Sequence, residues 1–192
     1  MSTQAPPTLL RTPDQILGPF YPLSQTADET GDLTHHANGH AEGTVLYLSG
    51  RVMASNGQPV ANARMEIWQA NQSGRYAHPA DENPAPLDPH FAGFAVLHSD
   101  AQGHYQLKTI LPNAYPVSPT VMRPAHIHFL VTGKRERLVT QMYFAGDPYN
   151  ATDPFLQSAR RPEALTVNPV PAPEAPEPGA LKAAFDVVLG AG

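Results

Sequence analysis

Two histidines one residue apart, His126 and His128 in Arg123-Pro124-Ala125-His126-Ile127-His128-Phe129, carry the sharpest chemical signal in the sequence. On a strand alternate side chains share a face, so both imidazoles point the same way from backbones about 6–7 Å apart. Two imidazoles so placed can converge on one metal ion while Ile127 and Phe129 pack on the opposite side. The pair alone does not name the metal, because cupin, copper and zinc centres all use it, and paired surface histidines are common. Cys is absent, which excludes thiolate ligands, a thiolate nucleophile and a disulfide framework. A site of two His and one carboxylate stays open, since Asp or Glu could come from elsewhere in the fold.

Two tyrosines stand in unusual settings. Tyr76 closes Trp68-Gln69-Ala70-Asn71-Gln72-Ser73-Gly74-Arg75-Tyr76, and Tyr115 lies in Pro112-Asn113-Ala114-Tyr115-Pro116. Both segments are loop-like, marked by Gly or Pro and leading away from strands, where a side chain can be aimed into a cleft. Taken singly, each is equally a core or rim aromatic. Arg123 precedes His126 by three residues, an odd offset that puts it on the other face of a continuous strand. It is therefore expected before the regular strand or at an irregularity; by itself it reads as an ion-pair partner. Gln141, in Thr140-Gln141-Met142-Tyr143-Phe144, reads by itself as a strand residue bonded to backbone.

The elements that must position these groups are short. The chain of 192 residues contains 22 Pro and 14 Gly, turn chemistry that favours many strands and loops over long helices. Strand-like runs cover 44–53, 63–69, 98–109, 123–132, 137–144 and 183–189. Asn56-Gly57 signals a tight hairpin between the first two, Asp100-Ala101-Gln102-Gly103 another turn, and Pro169 to Pro178 a linker. The expected fold is an all-β antiparallel sandwich with long loops over residues 44–192, preceded by an extended N-terminal arm over 1–43. One short helical possibility, Pro13 to Leu17, interrupts that arm. Gly50-Arg51-Val52 running on through Gly57, Pro59 and Ala63 also occurs in transthyretin-like and collagen-adhesin B-type sandwiches, so a non-catalytic binding module is the rival reading. A copper or zinc enzyme built on the His pair is another. A net charge of −5 argues against a nucleic-acid partner, which needs a basic face. No apolar run approaches the about 20 residues of a membrane span, and Met1 to Leu10 lacks a basic region followed by an apolar stretch. The cytoplasm is the expected location.

The motifs together resemble a known family. Trp68-Gln69-Ala70-Asn71, Gly74-Arg75-Tyr76, Leu87-Asp88-Pro89-His90-Phe91, Tyr115-Pro116, Arg123-Pro124-Ala125-His126-Ile127-His128 and Thr140-Gln141-Met142-Tyr143-Phe144 occur in the order found in intradiol ring-cleavage dioxygenases. The resemblance spans Thr44 to about Asp153, and Phe185-Asp186-Val187-Val188-Leu189 resembles the family's closing strand. It implies one non-haem Fe(III) per chain, held by Tyr76, Tyr115, His126 and His128. It implies cleavage of a catechol between its two hydroxyl-bearing carbons with O2, giving a muconate-type diacid. Tyr115 would be the ligand that leaves for substrate and takes its proton. Arg123 would stabilise negative charge developing on the ring, and Gln141 would stand behind it.

Thr12-Pro13-Asp14-Gln15-Ile16-Leu17-Gly18-Pro19-Phe20-Tyr21 is similar to the arm of the α-type subunit of protocatechuate dioxygenases, which borders the iron-bearing partner's site. That similarity implies a homo-oligomer, with Gly18 and Pro19 near a neighbouring copy's active site and in contact with its substrate. Val117 stands where those relatives carry a Trp that walls the pocket, so a more open substrate site is expected here. The remaining histidines, His35, His36, His40, His78, His90, His98 and His104, read as surface or loop residues.

Overall fold

Alternation sets the architecture. β1 (Val45–Ala54) buries Leu46, Leu48 and Val52, and β4 (His104–Ile110) buries Tyr105 and Leu107, the two-residue period of a strand with one face in the core. The two pair antiparallel from Val45↔Ile110 to Arg51↔His104. On the other edge of β1 lie β11 (Leu181–Ala184) and β12 (Val187–Leu189), both parallel to it, with β10 (Val170–Pro171) outside β11. A second sheet runs in the order β3 (Phe94–His98), β2 (Arg64–Gln69), β7 (His126–Thr132), β8 (Arg137–Phe144), β9 (Thr166–Val167). Met65, Ile67, Ile127, Phe129, Val131, Leu138 and Met142 face the first sheet and close the core against Leu46, Leu48, Val52 and Leu107. The fold is therefore the expected β-sandwich. A separate ribbon of β5 (Tyr115–Ser118) and β6 (Val121–Arg123) stands outside both sheets.

The computed structural model describes residues 8–23 and 26–190, so Pro6, Pro7 and the extreme N-terminus lie outside them. Among the described residues no helix is long and apolar enough to cross a membrane. The one α-helix among the described residues, α1 (Pro154–Gln157), is a single turn whose N-cap Asp153 accepts from the Phe155 N–H.

Four local expectations fail for tertiary reasons. Asn56-Gly57 does make a turn, with Gly57 at φ 81° and its N–H on Ala54 O. No hairpin follows: both edges of β1 are occupied, and after a single bridge from Met53 to Pro59 the chain crosses to the other sheet. The closing strand is two strands, broken at Phe185-Asp186. There Phe185 O accepts the buried Tyr105 hydroxyl at 2.6 Å and the Asp186 carboxylate accepts the Arg51 N–H at 2.8 Å. The linker after Pro169 contributes β10. Finally, Pro13 to Leu17 is not helical. Thr12 precedes a proline, which disfavours helical backbone, and the backbone donors are spent elsewhere: Thr12 N–H on Val188 O at 2.9 Å, Gln15 N–H on Val139 O at 2.9 Å. The segment is an extended strap joining the edges of β12 and β8. Further along, Asp28 and Asp32 bridge to β3 and β4, and Leu33 is fully buried in the core.

Candidate metal centre

Parity along β7 separates its two faces. Ile127, Phe129 and Val131 point inward; His126, His128 and Leu130 point to the outer face of the second sheet, where the strap covers them. The register puts Trp68 and Gln141 on either side of His128, and Tyr143 beside His126. The Trp68 indole stacks on the His128 ring at 4.7 Å, only 10° from parallel. An imidazole sandwiched in this way has little freedom to turn.

The tyrosines arrive on two loops packed against one another. Asn71 Oδ1 accepts the N–H groups of Ser73 and Arg75, and Asp81 accepts the Tyr76 N–H at 2.7 Å, so the turn carrying Tyr76 is pinned at both ends. Gly74 sits at φ 74°, and a Cβ there would lie 2.5 Å from Ala114 O, beside Tyr115. Only glycine lets the two loops approach so closely at that backbone angle. Gly74→Ala is accordingly expected to leave the sandwich folded but to lower metal content per purified chain several-fold. Equal metal content at equal thermal stability would show that the loops can part without consequence. Tyr115 was expected in a loop; it opens β5, paired with Arg123 of β6.

The structure brings Tyr76, Tyr115, His126 and His128 together. The two histidine Nε2 atoms are 3.1 Å apart, Tyr76 Oη is 3.4 Å from His126 Nε2, and the two phenol rings meet edge-to-face at 5.5 Å. His126 Nδ1–H donates to Pro124 O at 2.7 Å, which leaves its Nε2 lone pair facing the centre. Burial and the nearby Arg123 charge push the His126 pKa down to about 3; burial, then His126, then Arg123 hold His128 well below its ordinary value. Both rings are neutral donors. Burial raises the Tyr76 hydroxyl well above its ordinary pKa and raises Tyr115 as well, the Arg123 charge partly opposing it there.

A metal ion would resolve what the protein atoms leave unsettled. His128 Nδ1 is buried without a hydrogen-bond partner, so either tautomer leaves a polar atom unmet or two lone pairs face to face. Imidazole–metal bonds near 2.0–2.1 Å put adjacent ligand nitrogens about 3 Å apart, the spacing found. Phenol oxygens deprotonated by a cation are hard anionic donors, and with two imidazoles they suit ferric iron better than copper(I) or other soft ions. No third His and no Asp or Glu joins the pair among the described residues.

Arg123 escapes the parity problem because β6 ends with it, and Pro124-Ala125 separate it from β7. Its guanidinium is buried and held chiefly through Nη2. It donates to Asp153 Oδ2 at 3.0 Å, Gln141 Oε1 at 2.9 Å and Tyr143 Oη at 3.0 Å, and lies 4.6 Å over the Phe155 ring. Gln141 is fully buried away from the cleft, with Oε1 accepting from Arg123 and Tyr143 and Nε2 donating to Ile16 O at 2.8 Å. Tyr143 Oη has Gln141 Oε1 at 2.8 Å and Gln15 Oε1 at 3.0 Å for its single proton.

The strap thus reaches the centre. The sequence resemblance places it beside a neighbouring copy's site, but here it crosses this chain's own, because Gln15 and Ile16 are tied to Tyr143 and Gln141. Gly18, at φ 77°, leaves 3.2 Å between a Cβ position and His128 Cε1. Phe20 packs on Tyr76 at 4.7 Å and approaches Tyr115 at 6.4 Å, and Tyr21 meets Trp68 edge-on at 5.2 Å with its hydroxyl on Glu66. A cleft of about 710 Å³ opens above Tyr115 and Arg123, with Pro19 and Val117 in its walls; Tyr76 does not line it. Asp153, Tyr143, Gln15 and Phe20 were not singled out from sequence. Asp153 carries a readable local signal, an N-cap before Pro154, but nothing that points 30 residues back to Arg123.

The family model described as Dioxygenase matches residues 16–191. The chain is 42% identical over 180 residues to the protocatechuate 3,4-dioxygenase beta chain of Burkholderia cepacia, covering 89% of this chain and 76% of that one. It is 35% identical over 188 residues to the catechol 1,2-dioxygenase of Acinetobacter baylyi, covering 90% of this chain and 57% of that one. It therefore spans three quarters of the first relative and little more than half of the second. Among solved structures, catechol 1,2-dioxygenase from Acinetobacter sp. ADP1 inhibited by bound mercury superposes with a TM-score of 0.73 at 33% identity, over 94% of this chain and 63% of that one. The dioxygenase domain of a carbohydrate-binding fusion from Streptomyces sp. SirexAA-E superposes with a TM-score of 0.73 at 28% identity, over 95% and 99%.

Proposed function

This chain belongs to the intradiol ring-cleavage dioxygenases, and from that premise we propose that Tyr76, Tyr115, His126 and His128 hold one ferric ion at which a catechol is opened. The bond broken is the one between the two hydroxyl-bearing carbons, and both atoms of O2 enter the diacid product. The observation that carries this assignment is the convergence of two neutral imidazoles and two buried phenols just behind a cleft that Tyr115 and the fixed Arg123 line. Relatives named as dioxygenases do not favour the binding-module reading or the copper and zinc readings.

Ferric iron bound there would supply Lewis acidity, lowering the pKa of the phenols and of the substrate hydroxyls. The protein's own groups divide the remaining work. Tyr115 lines the cleft and Tyr76 does not, so Tyr115 Oη is the base within reach of a substrate hydroxyl proton. Arg123, itself buried, presents a fixed positive charge to the electron-rich ring. Gln141, Tyr143 and Asp153 hold that charge in place and do not touch substrate. Pro19, Phe20 and Phe155 form apolar walls against the ring. Because the strap comes from the same chain, each copy in the proposed homo-oligomer would carry a complete site.

Metal analysis with visible spectroscopy tests the reading. The purified protein is expected to hold about one iron per chain and to be red from phenolate-to-ferric charge transfer. The band should shift when catechol is added without O2, and catechol should consume O2 once air is admitted. A colourless protein that stays iron-free after ferric reconstitution would overturn the assignment.

A further inference from the structure

The cleft above Tyr115 and Arg123 is much larger than the ring it is proposed to hold. Its volume of about 710 Å³ falls within the roughly 300–1,000 Å³ typical of sites for drug-sized ligands, and one dihydroxylated ring fills a small part of that. Beyond the ring position the walls are the β5–β6 ribbon on one side and residues 81–84 on the other. Val117 is 54% exposed, Val121 45% and Ile16 40%. These are three of the seven large exposed apolar residues among those described, and they share one cleft instead of standing singly.

Charge inside the cleft is one-sided. Arg123 is its only cationic wall residue, and the guanidinium is already bonded to Asp153, Gln141 and Tyr143. Arg75, on the neighbouring loop, is turned to Ala85 O at 2.7 Å. The carboxylates in the wall are Asp81 and Glu82. Asp81 is buried on the amides of Tyr76 and Asn83, whereas Glu82 is exposed at the mouth. Among the described wall residues a carboxylate on the substrate ring would find no cation besides Arg123, and away from it would meet Glu82. An uncharged apolar group would find Val117, Val121 and Met122.

We propose that this enzyme's substrates are catechols bearing an uncharged alkyl or aryl substituent laid along the β5–β6 ribbon, and that Glu82 selects against ring carboxylates. The proposal rests on the ring-cleavage reading and goes beyond it to the substrate class.

Binding can be measured apart from turnover by following the visible band of iron-loaded protein during titration without O2. The ligands are catechol, 4-tert-butylcatechol, 3,4-dihydroxybiphenyl and protocatechuate, with O2 uptake recorded in parallel. The two neutral substituted rings should bind at least about tenfold more tightly than protocatechuate. The gap should narrow at high salt, as an exposed charge contact does. Glu82→Lys should shift the protocatechuate to 4-tert-butylcatechol affinity ratio by about fivefold toward protocatechuate, the scale of an exposed charge contact. Val117→Trp should shift the 3,4-dihydroxybiphenyl to catechol ratio toward catechol. Protocatechuate binding as tightly as the neutral substituted rings, or a ratio unmoved by Glu82→Lys, would overturn the proposal and leave ring cleavage standing. If no catechol shifts the band or is cleaved, the ring-cleavage reading itself falls.

Discussion

His126→Ala, His128→Ala and Tyr76→Phe are each expected to yield colourless, iron-poor protein with no measurable oxygen uptake on catechols. Each removes one of four converging donors from a site in which no other described His, Asp or Glu stands ready to replace it. Loss of a group that merely supports a metal ligand costs about 10–100-fold in affinity or activity, so loss of a ligand itself should cost more. The sandwich should survive. The three side chains sit on the outer face of the second sheet or on the loop beside it, and the core between the sheets is untouched. Tyr115→Phe should differ in kind. Its side chain forms part of the cleft wall, so that variant should keep some iron, lose part of the charge-transfer colour and turn over slowly. Iron content, the visible band and oxygen uptake, measured alongside thermal unfolding, separate these outcomes. A full complement of iron with an unchanged band in any of the first three variants would remove that residue from the centre.

Arg123→Lys should fold, bind iron and stay coloured, yet turn over about 100-fold more slowly, the scale expected when a preorganised electrostatic donor is lost. Lysine is the informative replacement because it keeps a cation beside Asp153. Alanine would strand that carboxylate in the interior at a cost of about 3–5 kcal/mol, and a folding defect would obscure the chemistry. A flexible lysine ammonium cannot reproduce the rigid planar fork that sets Nη2 among Asp153, Gln141 and Tyr143 while Nε also reaches Asp153. Its charge will therefore be displaced from the substrate ring. The loss should fall on kcat more than on KM, since the interaction strengthens as charge develops. Wild-type turnover in Arg123→Lys would show that the fork has no part in the reaction, and collapse of iron content would make the residue structural.

What could be read from the chain was whatever depends on local period. His126 and His128 share a face because β7 is a regular strand, and short strand-like runs separated by turn signals announce a sandwich. The odd offset of Arg123 was a true signal, resolved by the break at Pro124-Ala125 between β6 and β7. Non-local contacts were not legible. Asn56-Gly57 turns as its residues demand, but whether a hairpin follows depends on which edges of β1 are already taken. Pro13 is as compatible with a first helical turn as with an extended strap; the acceptors Val188 O and Val139 O, more than 120 residues away, decide it. Asp153 announces a helix start before Pro154, but nothing near it points to the buried arginine 30 residues earlier.

The strap that backs His128 and ties Gln15 to Tyr143 bears on how the enzyme behaves when scarce. Had that segment come from another polypeptide, the fraction of finished sites would depend on protein concentration and fall on dilution. Tethered to its own sheet, it faces its docking groove at an effective concentration on the order of millimolar. That far exceeds any abundance at which the chains themselves need meet. Specific activity should then be set by how well the strap seats and not by how many chains are present, since a single newly made molecule would already carry its own strap.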